Sequence, residues 1–139
     1  MKQVVPFLIV ALMGAFVVYQ WWGARPSKPM NELEELYKKG ALLIDVRTAG
    51  EVKTSGIPGA KHIPLQNLSS RSKEIPKDKD VILFCRSGNR SGRAMRYLKK
   101  LGWTKVHNGG SYLRWQPIVK KSPVKKQEKT SAKPAKQKK

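Results

Sequence analysis

The sequence predicts an α/β domain, with a small, mostly parallel sheet flanked by helices, preceded by one apolar helix of membrane-spanning length. Three observations predict it. Short apolar runs at Ala41-Leu42-Leu43-Ile44-Asp45 and Val81-Ile82-Leu83-Phe84 have the length of buried strands, and helical patterns alternate with them. The second run leads through a polar, glycine-containing loop into a helical pattern that carries Ala94, Leu98 and Leu101 on one face and stops at Gly102. Residues 3–24 carry no charge, and residues 4–22 are almost continuously apolar.

Taken in order, residues 1–24 form the expected transmembrane helix. At 1.5 Å per residue, such a helix approaches the ~30 Å hydrocarbon thickness of a bilayer. Tyr19, Trp21 and Trp22 stand where aromatic rings favour the headgroup region, and Arg25 and Lys28 follow as charged anchors. A cleaved signal would start equally well at Lys2, but Trp22-Gly23-Ala24 puts a bulky ring where cleavage wants a small residue, which favours retention. The positive-inside rule leans towards a cytoplasmic domain by two charges, and an extracytoplasmic domain is the alternative.

Residues 25–29 read as a linker, and the folded domain is expected over 30–117. Asn31 is placed to cap a helix over residues 32–39, with Lys38 and Lys39 in its last turn and Gly40 as its stop. Gly56-Ile57-Pro58-Gly59-Ala60 is turn chemistry leading to a short strand over 61–63, and residues 65–73 carry a weak helical pattern. After the helix over 91–101 come a strand over 104–107 and a last short helix opened by Gly109-Gly110 and carrying Tyr112, Leu113 and Trp115. Residues 118–139 are rich in Lys, Pro, Ser, Gln and Ala, too poor in apolar groups to offset chain entropy, so disorder is expected there.

The chain has 139 residues and a formal charge of +20, and residues 120–139 hold nine lysines against the single Glu128. Such an excess favours anionic partners, and a tail of this kind could attach to anionic lipid. Nucleic acid is disfavoured, because the tail lacks the interleaved aromatics that base stacking uses. The chain's single cysteine, Cys85, excludes an intramolecular disulfide and any multi-cysteine metal site within one subunit, and no metal ligand set is expected.

A lone cysteine is ordinarily a small buried hydrophobe. Cys85 differs by position: Cys85-Arg86-Ser87-Gly88-Asn89-Arg90-Ser91 stands where a buried strand turns into a helix. There, unsatisfied N–H groups and the positive end of the helix dipole favour anions. A thiol facing those donors, with Arg86 and Arg90 beside it, ionises more readily than a free cysteine and becomes a nucleophile. Gly88 lets the loop curl so that successive amides converge. Ser87 and Ser91 could hydrogen-bond an anionic substrate, Ser91 serving equally well as a helix cap.

These residues resemble the rhodanese family, whose six-residue active-site loop is commonly Cys-Arg-any-Gly-any-Arg. Leu43-Ile44-Asp45-Val46-Arg47, Ile57-Pro58-Gly59-Ala60 with Ile63-Pro64, and Gly109-Gly110 with Trp115 resemble further signatures of that family, and together they cover about residues 30–116. One departure is Ser55-Gly56 where the family usually has Gly-His, and His62 does not align with that position. The resemblance implies a sulfurtransferase without metal or organic cofactor, in which Cys85 takes sulfane sulfur from thiosulfate or a related anionic donor and passes it to cyanide or a thiol. Arg86, Ser87, Gly88, Asn89, Arg90 and Ser91 would form the substrate cradle, with Asp45 and Arg47 as a supporting pair. His62 and His107 read as packing or surface residues and Trp115 as a core aromatic. Phosphatases and arsenate reductases use similar loop logic, but with five residues between cysteine and arginine where this loop has four. The rival from another class is a catalytically silent binding or persulfide-sensing module.

Overall fold

The structure is a computed structural model that describes residues 5–123, with side chains described for residues 9–19, 22 and 25–123. The elements run α1 (Val5–Ala24), α2 (Met30–Lys38), β1 (Leu42–Asp45), α3 (Ala49–Ser55), β2 (Lys61–His62), α4 (Leu68–Arg71), β3 (Val81–Cys85), α5 (Asn89–Lys100), β4 (Val106–Ser111) and α6 (Tyr112–Lys121). Short 3₁₀ turns at Leu65–Asn67 and Ser72–Glu74 flank α4. The strands pair in the order β2-β1-β3-β4, and every pairing is parallel.

Parallel strands bury both faces, and β3 does so along its whole length. Its alternation sends Val81, Leu83 and Cys85 towards Leu68 of α4, Ala94 and Leu98 of α5, and Trp103. Ile82 and Phe84 point the other way, into a cluster with Leu33 and Tyr37 of α2 and Trp115 and Val119 of α6. The cysteine therefore ends the most enclosed strand of the sheet, on the face that α5 covers.

Several boundaries differ from expectation, each for a local reason. Helix α2 starts at Met30, because the Leu33 N–H already donates to the Pro29 carbonyl at 3.2 Å; Asn31 lies inside the first turn. Helix α3 was not foreseen, although Thr48 and Glu51 close a reciprocal capping box at its start. Helix α5 begins at Asn89 with Gly88 at its N-cap, so Ser91 sits within the helix. Strand β4 continues to Ser111, and its pairing shifts from Leu83↔Asn108 to Cys85↔Ser111, a bulge that takes in Gly109 and Gly110. Helix α6 runs through Pro117 to Lys121, since burying Trp115 and Val119 outweighs the hydrogen bond that proline removes. The expected disordered tail thus begins too early at 118, and residues 124–139 lie outside those described.

The expected transmembrane helix is not supported: among the described residues, no helix is long and apolar enough to cross a membrane. Residue 4 and the side chains of residues 5–8 lie outside those described. Helix α1 instead lies against α5. The expected linker is also more than a connector, because Ser27 donates its N–H to the Asn108 carbonyl at 2.9 Å and accepts the Asn108 N–H on its hydroxyl at 2.9 Å. That exchange occupies the outer edge of β4, which would otherwise be unpaired.

Gly109 is the tightest point of the bulge. A Cβ there would stand 2.7 Å from Cγ2 of Ile82, 2.9 Å from Nε1 of Trp115 and 3.1 Å from the Leu83 carbonyl oxygen. None of these can retreat, since Ile82 and Trp115 are fully buried and Trp115 donates its indole N–H to the Gly109 carbonyl at 2.9 Å. Gly109→Ala is therefore expected to cost about 1–3 kcal/mol of stability by overpacking, read from chemical denaturation with an unchanged m-value.

Candidate functional site

The site is built where β3 ends. Gly88 adopts φ +99°, a left-handed conformation that suits glycine, and this turns the chain back over the cysteine. As a result the Gly88 N–H donates to Cys85 Sγ at 3.0 Å, and the Ser91 hydroxyl lies 3.5 Å from the same sulfur. Burial pushes the Cys85 thiol up, but the Ser91 hydroxyl and the amides of Ser91, Ser87 and Gly88 together outweigh it, leaving the thiol below its ordinary pKa. The cysteine is fully buried, so these donors take the place of water around the sulfur.

The expected cradle residues divide by location. Arg86 and Ser87 are exposed, Asn89 and Arg90 are half-buried, and Gly88 and Ser91 are buried. Arg90 forms a two-pronged ion pair with Glu51 of α3, Nη1 to Oε2 at 2.6 Å and Nη2 to Oε1 at 2.7 Å. The Arg90 hydrogen bond holds the Glu51 carboxyl well below its usual range, at about 2, against a smaller opposing effect of burial. Glu51 in turn raises the pKa of Arg90, burial opposing, and the neighbouring Cys85 acts in the same direction as Glu51. Arg90 thus faces both the sulfur and a carboxylate that the sequence reading did not single out.

Asp45 and Arg47 form the buried pair that was expected. Arg47 donates from Nε to both carboxylate oxygens at 3.0 Å and from Nη2 to Oδ2 at 2.7 Å, and both residues are 1% exposed. Arg47 also donates to the Ser55 carbonyl at 2.9 Å and to the Ser55 hydroxyl at 3.1 Å, and its guanidinium lies 4.1 Å above the Tyr112 ring. The pair therefore braces the C-terminal end of α3, and α3 carries Glu51 to Arg90. Support for the loop is relayed through a helix. Ser55, the departure noted in the sequence, is the residue that Arg47 grips.

The two histidines are engaged elsewhere. His62 Nε2 lies 2.8 Å from the Arg47 carbonyl, and His107 Nε2 lies 2.9 Å from Asp80 Oδ1. Among the described residues no group of His, Cys, Asp and Glu could hold a metal ion. Two residues of the site were missed. Glu51 had a legible signal, the Thr48-x-x-Glu51 capping pattern, whereas buried Asn108, which accepts the Ser91 hydroxyl at 2.7 Å, had none.

Chemically, this is a sulfur ringed by hydrogen-bond donors that favour its thiolate, the nucleophilic form, at the carboxyl end of a parallel strand, where α/β sheets carry their ligands. The rhodanese-like domain family matches residues 29–117. An uncharacterized Bacillus subtilis protein, YqhL, is 37% identical over 120 residues, covering 81% of this chain and 94% of its own length. A protein named sulfurtransferase from Allochromatium vinosum is 43% identical over 83 residues, covering 56% of this chain and 78% of that protein. The solved structure of a human single-domain sulfurtransferase superposes with a TM-score of 0.54 at 30% identity, covering 61% of this chain and 89% of the human one. A fold with one cysteine-bearing loop, matched over most of its length by proteins of this kind, leaves one assignment: the chain belongs to the rhodanese-like family of single-domain sulfurtransferases.

Proposed function

We propose that the chain moves sulfane sulfur from thiosulfate or a related anionic donor to a thiol or cyanide acceptor, through a persulfide on Cys85. The observation that carries this reading is the convergence of loop amides and the Ser91 hydroxyl on one buried sulfur whose pKa they lower. A human relative named thiosulfate:glutathione sulfurtransferase, 34% identical over 65% of this chain, supports the choice of donor and acceptor classes.

In the first step the Cys85 thiolate attacks the outer sulfur of thiosulfate. An S–S bond forms to Cys85 as the donor's own S–S bond breaks, and sulfite leaves with the electron pair. In the second step a thiolate or cyanide attacks the outer sulfur of the persulfide, and Cys85 departs as the thiolate. No net oxidant is consumed. Exposed Arg86 meets the donor's sulfonate-like oxygens. Arg90, whose terminal nitrogens are committed to Glu51, contributes its positive charge beside the sulfur.

Residues 4–22 and the lysines of 120–139 carry the further reading that the domain works at a membrane surface, on the cytoplasmic side. Its support is the uncharged apolar run and the basic tail in the sequence.

Cys85→Ser is expected to abolish cyanide-dependent thiocyanate formation and the ~32 Da mass gain that thiosulfate treatment leaves on the native protein. Activity persisting in that variant would sink the assignment. Glu51→Gln tests the Arg90 clamp. Because the folded-state pKa of Glu51 is lowered from 4.5 to about 2, the pair's contribution to stability is complete above pH 4.5 and is lost as pH falls towards 2. The variant should therefore melt below the native protein at neutral pH, and the gap should close over that acid range; a gap independent of pH contradicts the clamp. For the membrane reading, the full-length chain should co-sediment with anionic vesicles at low salt, and a chain that stays in the supernatant removes that reading.

A further inference from the structure

Asn108 lies on β4 beside Leu83 of the cysteine-bearing strand, is 1% exposed, and is joined to two separate parts of the chain. Its Oδ1 accepts from the Ser91 hydroxyl at 2.7 Å and from the Gly110 N–H at 3.0 Å. Its Nδ2 donates to the Gly88 carbonyl at 3.1 Å and to the Arg25 carbonyl at 2.8 Å. A carboxamide has two donor hydrogens and two acceptor lone pairs, and these bonds engage both ends of it. The two carbonyls and the Gly110 N–H also fix which end is nitrogen, since a flipped amide would set oxygen against carbonyl and N–H against N–H. From the other side, Ser27 holds the Asn108 backbone through both of its own polar groups.

Gly88 and Ser91 are two of the residues whose groups reach Cys85 Sγ. Asn108 holds the carbonyl of the first and the hydroxyl of the second. The Ser91 hydroxyl has a single proton and three acceptors within reach: Asn108 Oδ1 at 2.7 Å, the Gly88 carbonyl at 3.1 Å and Cys85 Sγ at 3.5 Å. Asn108 therefore sets both the position of that hydroxyl and the competition for its proton.

We infer that Asn108 is a positioning residue for the Cys85 thiolate, and that residues 25–28, by seating Asn108, form part of the active-site support. The inference rests on the reading of Cys85 as the nucleophile. It assigns to the segment before the domain a chemical role distinct from tethering. Strain or a shift in that segment is transmitted through one carboxamide to the loop, because the bonds at its two ends share the same rigid group.

The test is the pH dependence of iodoacetamide alkylation, read by intact mass on the full chain, where the single cysteine makes the signal specific to Cys85. The midpoint of the profile reports thiol ionisation and is separate from access, which changes the limiting rate. Asn108→Ala should move the midpoint by about half a pH unit or more, up through lost placement of the loop donors or down through release of the Ser91 proton to the sulfur. Ser27→Pro removes the N–H and the hydroxyl that seat Asn108 while leaving its carboxamide in place, and should raise the midpoint, slowing alkylation at pH 7 by about twofold or more. A native midpoint in Ser27→Pro overturns the inference, whether or not Asn108→Ala folds. Alkylation needs no sulfur donor, so a native protein with a lowered midpoint that forms no thiocyanate would overturn the sulfur-transfer reading and leave this inference standing.

Discussion

A charge on a sulfur shut away from water must be met by hydrogen-bond donors, or it will not persist; the protein meets it with its own backbone. Cys85 is fully buried at the end of β3, and the left-handed turn at Gly88 brings the following amides round to face its sulfur. Everything nearby serves that turn. The sheet fixes where β3 stops, α5 fixes where the next amides lie, and the bulge at Gly109 and Gly110 lets β4 approach closely enough for Asn108 to grip the loop from behind.

Two arginine–carboxylate pairs stand on the other side of the loop, and their environments give them different work. Asp45–Arg47 is sealed from solvent and fully hydrogen-bonded, the condition under which a buried pair holds its geometry and under which losing one partner is severe. Glu51–Arg90 is partly exposed and sits next to the sulfur. Helix α3 joins them: gripped at Ser55 by the first pair, it presents Glu51 to the second. A seven-residue helix with no buried residue of its own is thereby held in place by polar contacts at its two ends.

The parts legible in the sequence were those written in consecutive residues. The apolar run of β3, the loop after it and the helical face of α5 lie within one short stretch, so periodicity and residue type reveal them together. Asp45 and Arg47 were legible for the same reason. Asn108 was not, because its partners Arg25, Gly88 and Ser91 are scattered along the chain and an asparagine between a strand and two glycines looks like turn chemistry. Glu51 stands in a capping pattern with Thr48 that went unread, and its approach to Arg90 spans 39 positions and depends on tertiary placement. Helix α6 was cut short at Pro117 because the residues after it are mostly Lys, Pro, Ser, Gln and Ala, whereas the burial of Trp115 and Val119 that carries the helix on is set by the packing on that face of the sheet.

The full burial of Cys85 also bears on which atom a partner molecule can strike. In a persulfide formed there, the inner sulfur would keep Gly88 and Ser91 against it. Attack at the outer atom releases the protein thiolate and delivers the cargo. Attack at the inner one would join the acceptor to the protein and expel hydrosulfide. By shielding one end of such an S–S bond more than the other, the packing around β3 would favour release of the protein thiolate over loss of hydrosulfide.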